Sequence, residues 1–105
     1  AVGPGVLVTR PDSETLIDAA VAHFRDRAPA RILDLGTGSG ALLLAALDQW
    51  PAAWGLGIDR SAAALAIARR NAAPFGPRAA LIQGDWATAI EARFDLVLVN
   101  PPYVE

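Results

Sequence analysis

A doubly wound, mainly parallel α/β sheet is the fold class predicted, and three features of the sequence predict it. Residues 31–49 read as a short buried strand that runs straight into a glycine-rich turn and then a helix. Apolar strand-like runs alternate with alanine-rich helical runs along the chain, the rhythm of a parallel sheet with crossover helices. The polar residues with chemical potential fall just after those strands, where open α/β sheets take their ligands. The pattern accounts for the first four strands of such a sheet with their helices.

Each element follows from local sequence. Ala1–Gly5 is small and punctuated by glycine and proline, and Val6-Leu7-Val8 is a brief extended run. Asp12 or Ser13 can cap the helix that follows, with Glu14 near its positive end. Leu16, Ile17, Ala20, Val21 and Phe24 recur at helical spacing and define a buried face. Pro29 stops that helix. Ile32, Leu33 and Leu35 then form an apolar run typical of a strand covered on both faces, and a second helix is expected from Ser39 to Gln49, ended by Pro51. Trp54-Gly55-Leu56-Gly57-Ile58 reads as a second strand bounded by Asp59. Ser61 caps a helix through Ala73, with Leu65, Ile67 and Ala68 turned inward and Arg69 and Arg70 suited to its negative end. Ala79–Gln83 is the third strand, a short turn or single helical turn is expected over Thr88–Glu91, and Phe94–Val99 is the fourth, whose apolar edge is expected to be open if the polypeptide ends at Glu105.

Length and composition limit the functions available. At 105 residues, 53% hydrophobic and 19% charged, the chain can form one small packed domain. It has no cysteine, which excludes disulfides and thiolate metal sites and agrees with a cytoplasmic location. His23 has no second histidine or suitably spaced carboxylate beside it, so no metal site is expected. The net charge is -2 and all 9 basic residues are arginine, which gives no strongly cationic surface for nucleic acid. No apolar run is long enough to cross a bilayer, and the first residues lack a signal-peptide pattern. The chain begins without methionine and stops soon after an apolar strand, so a piece of a larger protein is expected.

Four groups of residues carry the chemistry. Gly36, Gly38 and Gly40 remove side chains where the backbone must turn tightly, letting a ligand approach bare amides beside a helix start. Gly36-x-Gly38-x-x-Ala41 also partly satisfies the dinucleotide fingerprint. Asp59 lies 19 residues after Gly40, where a carboxylate at a strand end can accept from both hydroxyls of a ribose; alternatively it caps the next helix. Asp85 is either a turn residue or an acceptor for an adenine amino group, with Trp86 covering the purine face. In Asn100-Pro101-Pro102-Tyr103, the residues before proline are pushed into extended conformations. The side-chain oxygen of Asn100 and the carbonyl of Pro101 are thus two acceptors of little freedom, fitted to one NH2 group, and Tyr103 can stack on a planar amide or base.

These motifs resemble those of class I S-adenosylmethionine-dependent methyltransferases that modify a planar nitrogen. Arg10-Pro11-Asp12-Ser13-Glu14 resembles the Arg-Pro-Asp-Thr-Glu signature of the release factor glutamine methyltransferases, the PrmC/HemK family, with serine in place of threonine. The similarity covers nearly the whole chain. It implies that Gly36, Thr37, Gly38, Ser39 and Gly40 wrap the methionine part of S-adenosylmethionine, and that Asp59 holds the ribose. It further implies that Asp85 and Trp86 line the adenine site and that Asn100 faces both cofactor and substrate. Asn100, Pro101, Pro102 and Tyr103 would grip the glutamine amide in the Gly-Gly-Gln loop of a peptide chain release factor, with Asn100, Pro101 and Tyr103 in catalytic roles. The product cofactor is S-adenosylhomocysteine, and neither nucleic acid nor membrane is an implied partner. The family's small N-terminal helical domain and its later strands are missing from residues 1–105, which correspond to a partial methyltransferase domain. Two other readings share these residues: an exocyclic-amine methyltransferase acting on adenine in DNA or RNA, and an NAD-type or non-catalytic nucleotide-binding module.

Overall fold

The computed structural model describes residues 6–9, 13–85 and 93–99. Along the chain these form β1 (Val6–Thr9), α1 (Ser13–His23), β2 (Arg31–Leu35), α2 (Ala41–Gln49), β3 (Trp54–Asp59), α3 (Ala62–Ala72), a 3-10 segment (Ala73–Arg78), β4 (Ala79–Gln83) and β5 (Leu96–Val99). The strands form one five-stranded sheet in the order β1-β5-β2-β3-β4. Every pairing is parallel.

The sheet sorts its residues by the period-two alternation of strands. Ile32, Asp34, Leu96 and Leu98 point to the face where the helices lie, and Ile32, Leu96 and Leu98 join Ala20, Leu42, Leu43, Ala46, Leu47, Trp50 and Ala53 in one core. Gly55 faces Leu43 of α2 on that side, and Gly57 faces Thr37. α1 supplies Ile17 and Val21 to this core and the turn after it supplies Phe24, while α3 stands over β4, where Arg69 and Ala72 border Ala79 and Leu81. The other face carries Leu33, Leu35, Ile58, Phe94, Val97 and Val99, with Leu56 and Ile82 beside them. Among the described residues no helix packs on this second face.

Capping fixes the helix ends. Ser61 holds extended dihedrals and its Oγ accepts from the Ala64 amide at 3.1 Å, the expected start of α3. α2 ends at Trp50, and Arg78 reaches across to it. The Arg78 Nη2 group donates to the carbonyls of Leu47 (2.6 Å) and Trp50 (3.1 Å), and Nε donates to Ala53 (2.9 Å). One guanidinium thus serves helix-end carbonyls that have no intrahelical donor.

Several expectations need correction. The sheet has five strands where four were expected, because Val6–Thr9 pairs in register with Leu96–Val99. The last strand is therefore not an open edge: β5 lies between β1 and β2, and the edges are β1 and β4. Ile67 is 44% exposed and does not face inward. Leu65, Ala68 and Ala72 define the buried stripe of α3, and a residue two after Leu65 points about 200° away from it. β5 begins at Leu96, since Asp95 is engaged with the amides of Ala30 and Arg31. α2 begins at Ala41 because Gly40 is left-handed (φ 84°).

Candidate functional site

The chain order changes direction beside β2. From β2 it proceeds outward through β3 to β4, then returns to the other side of β2 as β5. Such a switch point opens a crevice at the carboxyl ends of the two strands, because their following loops leave in opposite directions. Leu35, the last residue of β2, is in register with Val99, the last of β5. The strand leading to Gly36 and the strand leading to Asn100 therefore end level with each other.

The glycine turn is built in layers. Gly36, Gly38 and Gly40 have φ of 74°, 56° and 84°, left-handed values that explain a glycine at every second position. The amides of Gly36 and Thr37 both donate to the Ile58 carbonyl, at 2.8 and 3.0 Å, and the Gly40 amide donates to Thr37 at 2.8 Å. The Gly38 amide donates to Asp59 Oδ2 at 2.8 Å, and Asn71 Nδ2 on α3 donates to the Ser39 carbonyl at 2.9 Å. The expectation of a turn presenting bare amides is thus corrected at four of its residues. The amides of Gly36, Thr37, Gly38 and Gly40 are all engaged within the protein, because the tight turn must satisfy its own donors.

Beneath the turn lies Asp34, 1% exposed in an otherwise apolar strand. Its Oδ2 accepts from the Thr37 hydroxyl at 2.9 Å, while Oδ1 is buried without a hydrogen-bond partner. Burial pushes the carboxyl up from the ordinary value of 3.8 to about 7, against the Thr37 hydroxyl and the nearby Leu43 amide, and the Asp59 carboxylate adds a small upward push. Gly57 makes room for this arrangement. A Cβ there would lie 2.7 Å from Thr37 Oγ1 and 2.8 Å from Leu81 Cδ2. Sequence reasoning read Gly57 only as part of a strand and gave Asp34 no role. Glycine inside a strand, and a carboxylate inside an apolar run, were the available signals.

Asp59 ends β3 half-buried. Besides taking the Gly38 amide, it accepts from the Ser61 amide through Oδ1 at 2.9 Å, while the cap of α3 is Ser61 and not Asp59. The loop after it is tied to β4: the Gly84 amide donates to the Asp59 carbonyl at 3.0 Å, and Gln83 Nε2 donates to the Arg60 carbonyl at 3.0 Å. This brings the expected second acidic position, Asp85, to the same edge of the sheet, exposed to solvent. Gly36, Thr37, Gly38, Ser39, Gly40 and Asp59 are thus brought together, with Asp85 just beyond the neighbouring strand. Trp86, Asn100, Pro101, Pro102 and Tyr103, together with Arg10, Pro11, Asp12 and the expected turn over Thr88–Glu91, lie outside the described residues.

This edge is rich in acceptors. Asp59 and Asp85 bring carboxyl groups to one end of the sheet, and the amides of Gly36, Thr37, Gly38 and Gly40 are engaged within the protein. A ligand that donates hydroxyl hydrogens and carries positive charge fits such a surface. The donor set therefore fits S-adenosylmethionine, a sulfonium and ammonium cation bearing a ribose diol. Among the described residues there is no cluster of metal-ligating side chains, and no helix is long and apolar enough to cross a membrane.

Residues 11–105 match the methyltransferase small domain family. The chain is 49% identical to a release factor glutamine methyltransferase of Caulobacter vibrioides, over 98% of this chain and 37% of that protein. It is 45% identical to a release factor glutamine methyltransferase of Bordetella pertussis, over 99% of this chain and 39% of that one. The chain thus spans well under half the length of these curated relatives. Among solved structures it resembles the plantazolicin methyltransferase BpumL in complex with SAH (TM-score 0.64, 28% identity, 83% of this chain and 33% of that one). It also resembles the SAH-bound Podospora anserina methyltransferase PaMTH1 (TM-score 0.64, 29% identity, 79% and 38%). Both share the Rossmann-like class I fold.

Proposed function

Because this chain belongs to the methyltransferase small domain family, we infer that it is the S-adenosylmethionine-binding part of an enzyme that methylates a protein amide. The substrate is the side-chain nitrogen (N5) of the glutamine in the Gly-Gly-Gln motif of peptide chain release factors, and the setting is the cytoplasm. The inference rests above all on the register that ends β2 and β5 level, with Gly36 following one strand and Asn100 following the other. Segments outside this chain complete the domain and bind the release factor, and neither nucleic acid nor membrane is a partner.

The residues divide the work by chemistry. Gly36, Thr37, Gly38, Ser39 and Gly40 surround the methionine part of the cofactor. Asp59 accepts from the ribose hydroxyls with lone pairs not used by the Gly38 and Ser61 amides. Asp85 accepts from the adenine amino group and Trp86 covers the ring. When bound, S-adenosylmethionine supplies an electrophilic methyl group. The substrate amide is a poor nucleophile, since its nitrogen lone pair is delocalised into the carbonyl. Asn100 Oδ1 and the Pro101 carbonyl accept its two N–H groups, which aims the nitrogen and stabilises positive charge as it develops there. Pro102 stiffens the corner and Tyr103 stacks on the amide. A glutamate side chain would set oxygen lone pairs against those acceptors, so it is rejected.

The test is methyl transfer from labelled cofactor to a release factor, to the same factor with Gly-Gly-Glu in place of Gly-Gly-Gln, and to DNA and RNA. Label is expected on the first alone, and Asn100→Ala is expected to lower kcat by about 100-fold or more with little change in cofactor affinity. Label on adenine, or equal transfer to the glutamate variant, would overturn the assignment.

A further inference from the structure

Asp59 makes two bonds that concern the protein alone. Oδ2 takes the Gly38 amide, 21 residues away in the middle of the glycine turn, and Oδ1 takes the Ser61 amide at the start of α3. The neighbouring turn amides depend on other partners: Gly36 and Thr37 on Ile58, and Gly40 on Thr37. Gly38 itself is left-handed, and among the described residues no atom beyond its chain neighbours lies within 4 Å of the place where its Cβ would be. Among the described residues packing on that side does not locate it; the carboxylate does.

We propose that Asp59 is a positioning residue for the glycine turn, fixing the Gly38 amide before any ligand arrives and independently of contacts to a ribose. Two oxygens offer about four acceptor sites, so two amides leave room for two hydroxyls. A carboxamide at this position cannot reproduce the pair of bonds. It offers one oxygen to two amides, and its NH2 group then faces the other N–H donor.

The ligand half of the test rests on the S-adenosylmethionine reading; the exchange half does not. Wild-type chain and Asp59→Asn are titrated with S-adenosylhomocysteine and with its 2′,3′-dideoxy analogue. If the carboxylate acted only through the ribose hydroxyls, both proteins would bind the dideoxy analogue equally. Asp59→Asn is expected to bind that analogue about tenfold more weakly, the size of one lost charge-assisted hydrogen bond. In ligand-free wild type, the Gly38 amide is expected to be protected from hydrogen exchange. In Asp59→Asn its exchange is expected to quicken at least tenfold while the Leu33 amide of β2 is unchanged, a pattern that general destabilisation does not give. A Gly38 amide exchanging at the rate of unstructured glycine in wild type, which needs no variant to fold, overturns the proposal. So does equal affinity of the two proteins for the dideoxy analogue. If wild type binds neither ligand, the cofactor reading fails, and exchange at Gly38 alone decides whether Asp59 holds the turn.

Discussion

Asp95 and Asp59 use one device at opposite ends of the parallel sheet. At the amino end, Asp95 Oδ2 accepts from the amides of Ala30 (2.7 Å) and Arg31 (3.1 Å), pinning the start of β2 to the start of β5. At the carboxyl end, Asp59 divides the Gly38 and Ser61 amides between its two oxygens. The amino end is further closed by Arg78, whose guanidinium is taken up by three carbonyls. The carboxyl end, by contrast, keeps a buried Asp34 with one oxygen unpartnered. Polar groups are satisfied where the chain needs only to be held together. Beneath the glycine turn a buried carboxyl is left incompletely satisfied, at a cost in stability of the kind functional sites carry.

The largest effect that can break this contrast concerns Asp34. Its carboxyl titrates near 7 in the folded chain and near 3.8 when unfolded, so the folded state holds the proton more tightly. Its contribution to stability is full below the unfolded value and is lost as pH rises to about 7, a change on the order of 4 kcal/mol at most. Chemical denaturation of wild type and Asp34→Asn from pH 4 to 8 should show the difference between the two curves sloping over this window and flat above it. Parallel curves would mean that Asp34 is not held protonated.

Glycines at two depths of β3 sharpen the comparison. Gly57→Ala places a methyl 2.7 Å from the buried Thr37 Oγ1, and should cost about 2–3 kcal/mol and weaken cofactor binding. Gly55→Ala meets Leu43 Cδ1 at 2.6 Å, the far end of a flexible side chain, and should cost about 1 kcal/mol without touching affinity. Equal losses in thermal melts and titrations would erase the distinction between the two ends. Smaller still, Asp95→Ala removes the acceptor of two amides and should cost about 1–2 kcal/mol. Cofactor affinity should stay at the wild-type value, because this carboxylate lies at the end of the sheet away from the site.

How much of this was legible in the sequence varied with the range of the interactions. β2, α2 and the glycine turn were readable because apolar runs, helix formers and left-handed glycines act locally. The Ser61 cap and the place of Asp59 followed from the same local rules. Val6–Thr9 gains its standing as a strand only by pairing with Leu96–Val99 near the other end of the chain, which no local pattern reveals. Ile67 was misplaced because hydrophobicity alone does not say which side of an alanine-rich helix meets the sheet. The partners of the turn amides and the unpartnered oxygen of Asp34 depend on side chains from β2, β3 and α3 meeting in space. Spacing placed Asp59 near a ribose but was silent on its grip on Gly38.

Titration calorimetry of the full chain with S-adenosylmethionine and with NAD, under identical conditions, tests most directly the claim that the carboxyl end is an acceptor-rich site for a cationic nucleoside. One-to-one binding of S-adenosylmethionine with no heat from NAD is the expected result. Saturable binding of NAD with none of S-adenosylmethionine would contradict the account.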